Sequence, residues 1–191
     1  MQLYDINQAL ETLKKGGIIL YPTDTVWGIG CDATNDAAVR RIYALKQRVD
    51  TKAMLVLTDS VARLETYVSD VPEIAYDLLD AAVNPLTIIY PKGRNLAPSL
   101  YAADGSVGIR VTNEEFSQTL CYRFRKPIVS TSANISGRPS PSNFSEISEE
   151  IRSGVDYICS YRRDDTSKCA SSEIIRLGAG NQVEIIRGAT R

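Results

Sequence analysis

GGIILYPTDTVWGIGCDATNDAAVRRIYALK, residues 16–46, passes from an apolar strand through a polar turn into an amphipathic helix. Ile18-Ile19-Leu20-Tyr21 is a short continuous apolar run stopped by Pro22, which predicts a buried strand. Asn35 to Lys46 follows with Val39, Ile42 and Tyr43 on one face, the pattern of a capped helix. Working outward, Ile6, Ala9, Leu10 and Leu13 recur at helical spacing, with Asp5 as N-cap and Gly16-Gly17 as the stop. Toward the C-terminus the spacing predicts a strand at Met54–Leu57, a helix through Ile74, Leu78 and Leu79, and strands at Leu86–Tyr90 and Val107–Val111. A helix including Phe116–Cys121 and a strand at Ile128-Val129 come next. Strands alternating with helices define an α/β protein. Beyond residue 140 a Pro- and Ser-rich loop precedes a polar helix around Ser145–Arg152, and strands at Glu173–Leu177 and Val183–Arg187 form a late hairpin across residues 178–182.

The chain has 191 residues, which fits a single domain over 1–191 with about 70% of its unfolded surface removed from water. It contains no histidine, so Ser-His-Asp and Cys-His nucleophiles, His-ligated metals and histidine bases are all excluded. Cys31, Cys121, Cys159 and Cys169 show no C-x-x-C spacing and read as reduced thiols, mostly buried. Met1–Leu13 carries Asp5 and Glu11 and no apolar signal core, and no run of about 18 apolar residues occurs, so the expectation is a cytoplasmic protein without a membrane span. Twenty-two basic against 23 acidic side chains, net charge −1, argue against a dedicated nucleic-acid binder, since phosphate neutralisation supplies most of such affinity.

Four clusters carry candidate chemistry. Pro22-Thr23-Asp24-Thr25-Val26-Trp27-Gly28 sets two hydroxyls and a carboxylate at a strand end; it is either ordinary turn chemistry or a seat for a small zwitterion. Lys46-Gln47-Arg48 with Lys52 places three cations within seven residues past a helix C-terminus, either solvated dipole partners or a polyphosphate fork. In Ser106-Val107-Gly108-Ile109-Arg110, alternation sends Ser106, Gly108 and Arg110 to one face, where the arginine calls for a protein acid, a carboxylate or a phosphate. Ser130-Thr131-Ser132-Ala133-Asn134-Ile135-Ser136-Gly137, read as following its strand, is either a capped turn or a row of donors around phosphate oxygens.

In this order and spacing the clusters resemble the YrdC/Sua5 family, the threonylcarbamoyl-AMP synthases that begin synthesis of N6-threonylcarbamoyladenosine in tRNA. The resemblance runs from about Gly16 to Arg187 through ALKQRVDTKAM (44–54), NPLTIIYP (84–91), VGIRV (107–111), PIVSTSANISGRPSP (127–141) and IIRGAT (185–190). It implies a YrdC/RibB-like fold: a twisted mixed sheet, surrounding helices and one large open cleft. It implies the short YrdC form, without the C-terminal domain of Sua5. The family's Lys-x-Arg and Ser-x-Asn tetrad is similar to Lys46, Arg48, Ser132 and Asn134, taken as catalytic. By the same likeness Arg48, Lys52, Ser106, Ser132 and Ser140 are ATP positions, and Thr25, Arg110 and Ser130 are L-threonine positions, with Asp24 a looser candidate for the ammonium or a metal-bound water. Leu57 stands where fused-type members commonly carry a histidine, and Tyr161–Ser172 replaces the family's glycine-rich loop, with Ser171 and Ser172 as its counterparts.

The implied reaction joins L-threonine, bicarbonate and ATP with Mg2+, held mostly by ATP rather than by a metal site of the protein, and releases pyrophosphate. Its attacking carbamate oxygen is already anionic, which suits a chain without histidine. Placement would then supply roughly 7–11 kcal/mol of the barrier reduction. Implied partners are downstream tRNA threonylcarbamoyl-transfer proteins and a weak tRNA contact. Two rival readings stand beside it: a binding module for structured RNA, and a paralogue using the ATP site for another carbamoyl or acyl acceptor.

Overall fold

A computed structural model describes residues 2–48, 54–167, 171–178 and 182–188. Lys52, Cys169 and most of the tip of the late hairpin lie outside the described residues. The helices are α1 (Gln2–Lys14), α2 (Asp36–Leu45), α3 (Leu64–Tyr67), α4 (Ile74–Ala81), α5 (Glu115–Phe124) and α6 (Glu149–Ser153). The strands are β1 (Ile19–Tyr21), β2 (Gly28–Gly30), β3 (Leu55–Thr58), β4 (Leu86–Tyr90), β5 (Val107–Val111), β6 (Ile128–Ser132), β7 (Tyr157–Ile158), β8 (Glu173–Leu177) and β9 (Val183–Arg187). They form one mixed sheet in the order β7-β1-β2-β6-β3-β5-β4-β8-β9. None of the helices is long and apolar enough to cross a membrane among the described residues.

Alternation along each strand divides the core into two layers. Leu20, Val56, Ile88, Ile109, Val129 and Ile175 face the layer that holds Ala38, Val39, Ile42 and Tyr43 of α2. Ile19, Tyr21, Leu57 and Ile128 face the other, with Ile6, Ala9, Leu10 and Leu13 of α1 and Phe116, Leu120 and Cys121 of α5. Burying one such aliphatic side chain stabilises by about 1.5–3 kcal/mol, so β1, buried on both faces, reads as an unbroken apolar run.

The helices α1 and α5 cover only part of their face. The register continues Leu57 to Arg110, Arg110 to Thr87, Thr87 to Ile174 and Ile174 to Arg187, a row running outward along that same face. There the sheet is open, and this is the cleft expected from the resemblance.

Three readings of the sequence need correction, and two short strands, β2 and β7, escaped it. Asp5 is not an N-cap: it lies inside α1, fully buried, and accepts from Tyr157 Oη, the backbone N–H groups of Ser160 and Tyr161, and Ser160 Oγ. Burial raises its pKa, yet those donors together outweigh it and hold the carboxyl below its ordinary value. Strand β2 was not legible, because Gly28-Ile29-Gly30 carries no strand pattern; a Cβ on Gly30 would lie 2.7 Å from the Val129 carbonyl and 2.8 Å from the Tyr21 ring. Ser130, Thr131 and Ser132 belong to β6 itself rather than to the turn beyond it. The polar helix is split into a 3-10 turn at Phe144–Glu146 and α6.

Candidate functional site

The open sheet face forms the floor of a cavity of about 380 Å³. Its lining brings together Thr25, Arg48, Ser106, Arg110, Ser130, Ser132 and Ser140, seven of the positions singled out in the sequence. They come from separate parts of the chain: the β1–β2 turn, the end of α2, β5 with its leading residue, β6, and the turn after β6. Lys46 and Asn134 do not line it, and Lys52 lies outside the described residues.

The β1–β2 turn is folded by Thr23. Its hydroxyl donates to the Val26 carbonyl at 2.8 Å and accepts from the Thr25 amide at 3.0 Å, an ordinary hydroxyl-stabilised turn. This aims Asp24 and Thr25 at β5. Arg110 is 2% exposed; its Nη2 lies 2.9 Å from Asp24 Oδ1 and 3.5 Å from Thr25 Oγ1. The arginine on β5 therefore has a protein acid as its partner in this structure. Its Nε has no hydrogen-bond partner among the described residues, so the guanidinium keeps donor capacity beside the cavity. Arg162 Nη1 donates to the Thr23 carbonyl at 3.2 Å, which fastens the segment after β7 onto the same turn. Leu57, buried in the α1/α5 layer, presents no polar atom next to Arg110.

The end of α2 is a Schellman motif without glycine. Gln47 takes φ +50°, Arg48 N–H donates to the Tyr43 carbonyl at 2.9 Å and Gln47 N–H to Ala44 at 3.0 Å. The reversal puts successive cations in different places. Arg48 reaches the cavity, and burial lowers the pKa of its guanidinium. Lys46 turns inward, 1% exposed, and its ammonium donates to the carbonyls of Ser132 and, at 2.6 Å, Asn134. Burial first, then the charge of Arg48, pulls Lys46 down to about 8.

The lining also includes residues that the sequence clusters did not contain. Thr87, the one polar residue in Leu86–Tyr90, shares a 3.0 Å hydrogen bond with Ser172 Oγ. Arg187 on β9 donates from Nε to the Ser172 carbonyl at 2.8 Å, and Arg176 adds a further cation to the rim. Thr87 was findable as a small hydroxyl residue in an otherwise apolar and aromatic strand; Arg176 and Arg187 were not, because only strand order brings β8 and β9 to β4. Among the described residues no group of three or more Cys, Asp or Glu side chains is gathered to hold a metal ion.

Residues 11–189 match the Sua5/YciO/YrdC family, described as telomere recombination. The threonylcarbamoyl-AMP synthase of Pseudoalteromonas translucida is 35% identical over 155 residues, 80% of this chain and 83% of its own. That of Vibrio cholerae is 36% identical over 138 residues, 71% and 73% of the two chains. Among solved structures, E. coli YciO superposes with a TM-score of 0.80 at 26% identity over 98% of this chain and 89% of its own. P. abyssi Sua5 complexed with L-threonine gives 0.79 at 27% identity, covering 91% of this chain and 51% of that one, so the present chain spans about half its length.

Proposed function

The chain belongs to the Sua5/YciO/YrdC family, and from that premise we propose that it is a threonylcarbamoyl-AMP synthase supplying the activated group for N6-threonylcarbamoyladenosine in tRNA. One observation supports the reading: the residues expected to meet an amino acid, Thr25, Arg110 and Ser130, and those expected to meet ATP, Arg48, Ser106, Ser132 and Ser140, line a single cavity. In this reading Arg110 takes the L-threonine carboxylate, while Thr25 and Ser130 meet its polar groups. Arg48, with Lys52 beyond the described residues, holds ATP phosphates, and Ser106, Ser132 and Ser140 donate to the nucleotide. Magnesium enters as part of the substrate, Mg-ATP, because this ion keeps phosphate and water ligands in preference to a protein cage.

The chemistry has two steps. The threonine amine and bicarbonate form an N–C bond with loss of water, giving a carbamate. A carbamate oxygen then attacks the α-phosphorus; the new O–P bond forms as the bond to the β-phosphate bridging oxygen breaks, and pyrophosphate leaves with that electron pair. The residues contribute placement and charge: cationic and hydroxyl donors along the phosphates stabilise the leaving pyrophosphate, and a fixed carboxylate orients the carbamate. The product, a mixed anhydride, calls for a second catalyst that transfers the threonylcarbamoyl group to tRNA adenosine.

The test is pyrophosphate release from Mg-ATP by the purified chain, omitting L-threonine or bicarbonate in turn, with mass detection of the adenylate. Release that needs both substrates and yields the threonylcarbamoyl-AMP mass is the expected result. Release that needs neither refutes the assignment, as does none despite measurable ATP binding. Binding of structured RNA with steep salt dependence in the absence of ATP would put the RNA-binding reading in its place.

A further inference from the structure

Four residues of the Lys-x-Arg and Ser-x-Asn motifs divide in this structure into two pairs with different surroundings. Arg48 and Ser132 line the cavity; Lys46 and Asn134 sit behind them. Lys46 is joined to the turn after β6 at both its ends. Its ammonium donates to the Ser132 and Asn134 carbonyls, and its own carbonyl accepts from the Ser136 amide at 2.8 Å. Asn134 spends its side-chain amide within the same turn, donating to the Ile135 carbonyl at 3.0 Å and the Arg138 carbonyl at 2.7 Å. The opposite amide orientation would set Oδ1 against two carbonyl oxygens, so the NH2 group belongs there and both its hydrogens are engaged.

We propose that Lys46 and Asn134 are positioning residues that lock the end of α2 to the turn after β6 and thereby present Arg48 and Ser132 to the substrate phosphates. The role rests on the reading that this cavity takes ATP. It follows from connectivity: Arg48 is two residues beyond Lys46, and Ser132 supplies one of the carbonyls that Lys46 holds. One lysine thus fixes the spacing between a cation from a helix end and a hydroxyl from a strand end, elements far apart in sequence. Ala133 and Ile135, both buried, pin the turn from below, and Asn134 braces its far side toward Ser140, another cavity residue. A lysine that gripped phosphate would need its ammonium at the cavity wall; here two of its three N–H groups point at backbone oxygens and 1% of the residue reaches solvent.

The experiment combines two readouts on the full chain, both independent of turnover. The first is backbone amide exchange over residues 132–138 in the ligand-free protein; the second is the dissociation constant for inorganic tripolyphosphate, measured for wild type, Lys46→Met, Ser132→Ala and the double variant. Lys46→Met is expected to speed exchange of the Ser136 amide at least tenfold and to weaken tripolyphosphate at least tenfold. In the Ser132→Ala background the same change is expected to cost at least threefold less than in wild type, because the part of its effect that passes through Ser132 is gone and only the part through Arg48 remains. Unchanged exchange with the full loss retained in that background makes Lys46 a direct phosphate ligand and overturns the proposal. Faster exchange with full, uncoupled loss makes it a stabilising residue only and overturns it equally. Asn134→Ala, which removes no charge, is held to the same two criteria should Lys46→Met not fold. A wild type that binds no tripolyphosphate refutes the presentation role together with its premise, whereas wild-type binding without pyrophosphate release from ATP refutes only the synthase reading.

Discussion

Replacing Asp5 by alanine isolates a contact that no functional reading depends on. Its carboxylate accepts from Tyr157 Oη at 2.5 Å, Ser160 N–H at 2.9 Å, Tyr161 N–H at 2.8 Å and Ser160 Oγ at 2.9 Å. The Ser160 hydroxyl can rotate to another acceptor, so three donors lose their partner. An orphaned buried donor costs about 1–3 kcal/mol. These lie at the partly buried end of that range, which puts Asp5→Ala at about 3–5 kcal/mol, a large share of a typical total of about 5–15 kcal/mol. For a chain of this size each kcal/mol moves the melting temperature by about 2–4 °C, so a drop on the order of 10 °C is expected. Urea unfolding followed by far-UV circular dichroism measures it. Asp5→Asn adds a sign test: the folded pKa of Asp5 is lowered, so its contribution is full above the unfolded value near 4 and is lost as pH falls through the folded one. The gap between wild type and Asp5→Asn should therefore be constant from pH 8 to 6 and close below about pH 4. An Asp5→Ala protein within about 1 kcal/mol of wild type, or a gap that widens in acid, would show that the carboxylate does not hold α1 to the segment after β7.

Arg110→Lys keeps the charge and removes the fork; the loss of about 1.5–3 kcal/mol expected for a charge-assisted contact raises KM for L-threonine roughly 10- to 100-fold while KM for ATP moves less than threefold, read from steady-state pyrophosphate release. Equal effects on both constants would take the threonine carboxylate away from Arg110. Arg48→Ala should raise KM for ATP about tenfold or more and flatten its dependence on salt between 0.05 and 0.3 M, because one phosphate-facing cation is gone. Gly30→Ala forces a methyl to 2.7 Å from the Val129 carbonyl, so β2 and β6 must separate; differential scanning calorimetry should find a loss of about 1–3 kcal/mol, and an unchanged melting temperature would mean that the sheet gives way freely.

What the sequence disclosed and what it withheld divide along a physical line. Leu86–Tyr90, Val107–Val111 and Glu173–Leu177 were legible to the residue because burial sets their apolar side chains, which a one-dimensional pattern records, whereas Val183–Arg187, exposed along its whole length, was legible from its β-branched residues and the glycines of the turn before it. Asp5 was misread because an acid at the start of a helical pattern is most often a cap; the donors that bury it lie more than 150 residues away. Strand β2 is imposed by close approach to Tyr21 and Val129, and glycine is selected there for what it lacks. The same division runs through the site. Arg48 and Lys46 look alike in a line of text, two cations past a helix end. A left-handed residue at Gln47, invisible without glycine to mark it, sends one to the cavity and the other to a pair of backbone carbonyls. The motif as spelled therefore mixes residues that line the cavity with residues bound to the backbone around it, and only the hydrogen bonds of Lys46 and Asn134 tell the two kinds apart.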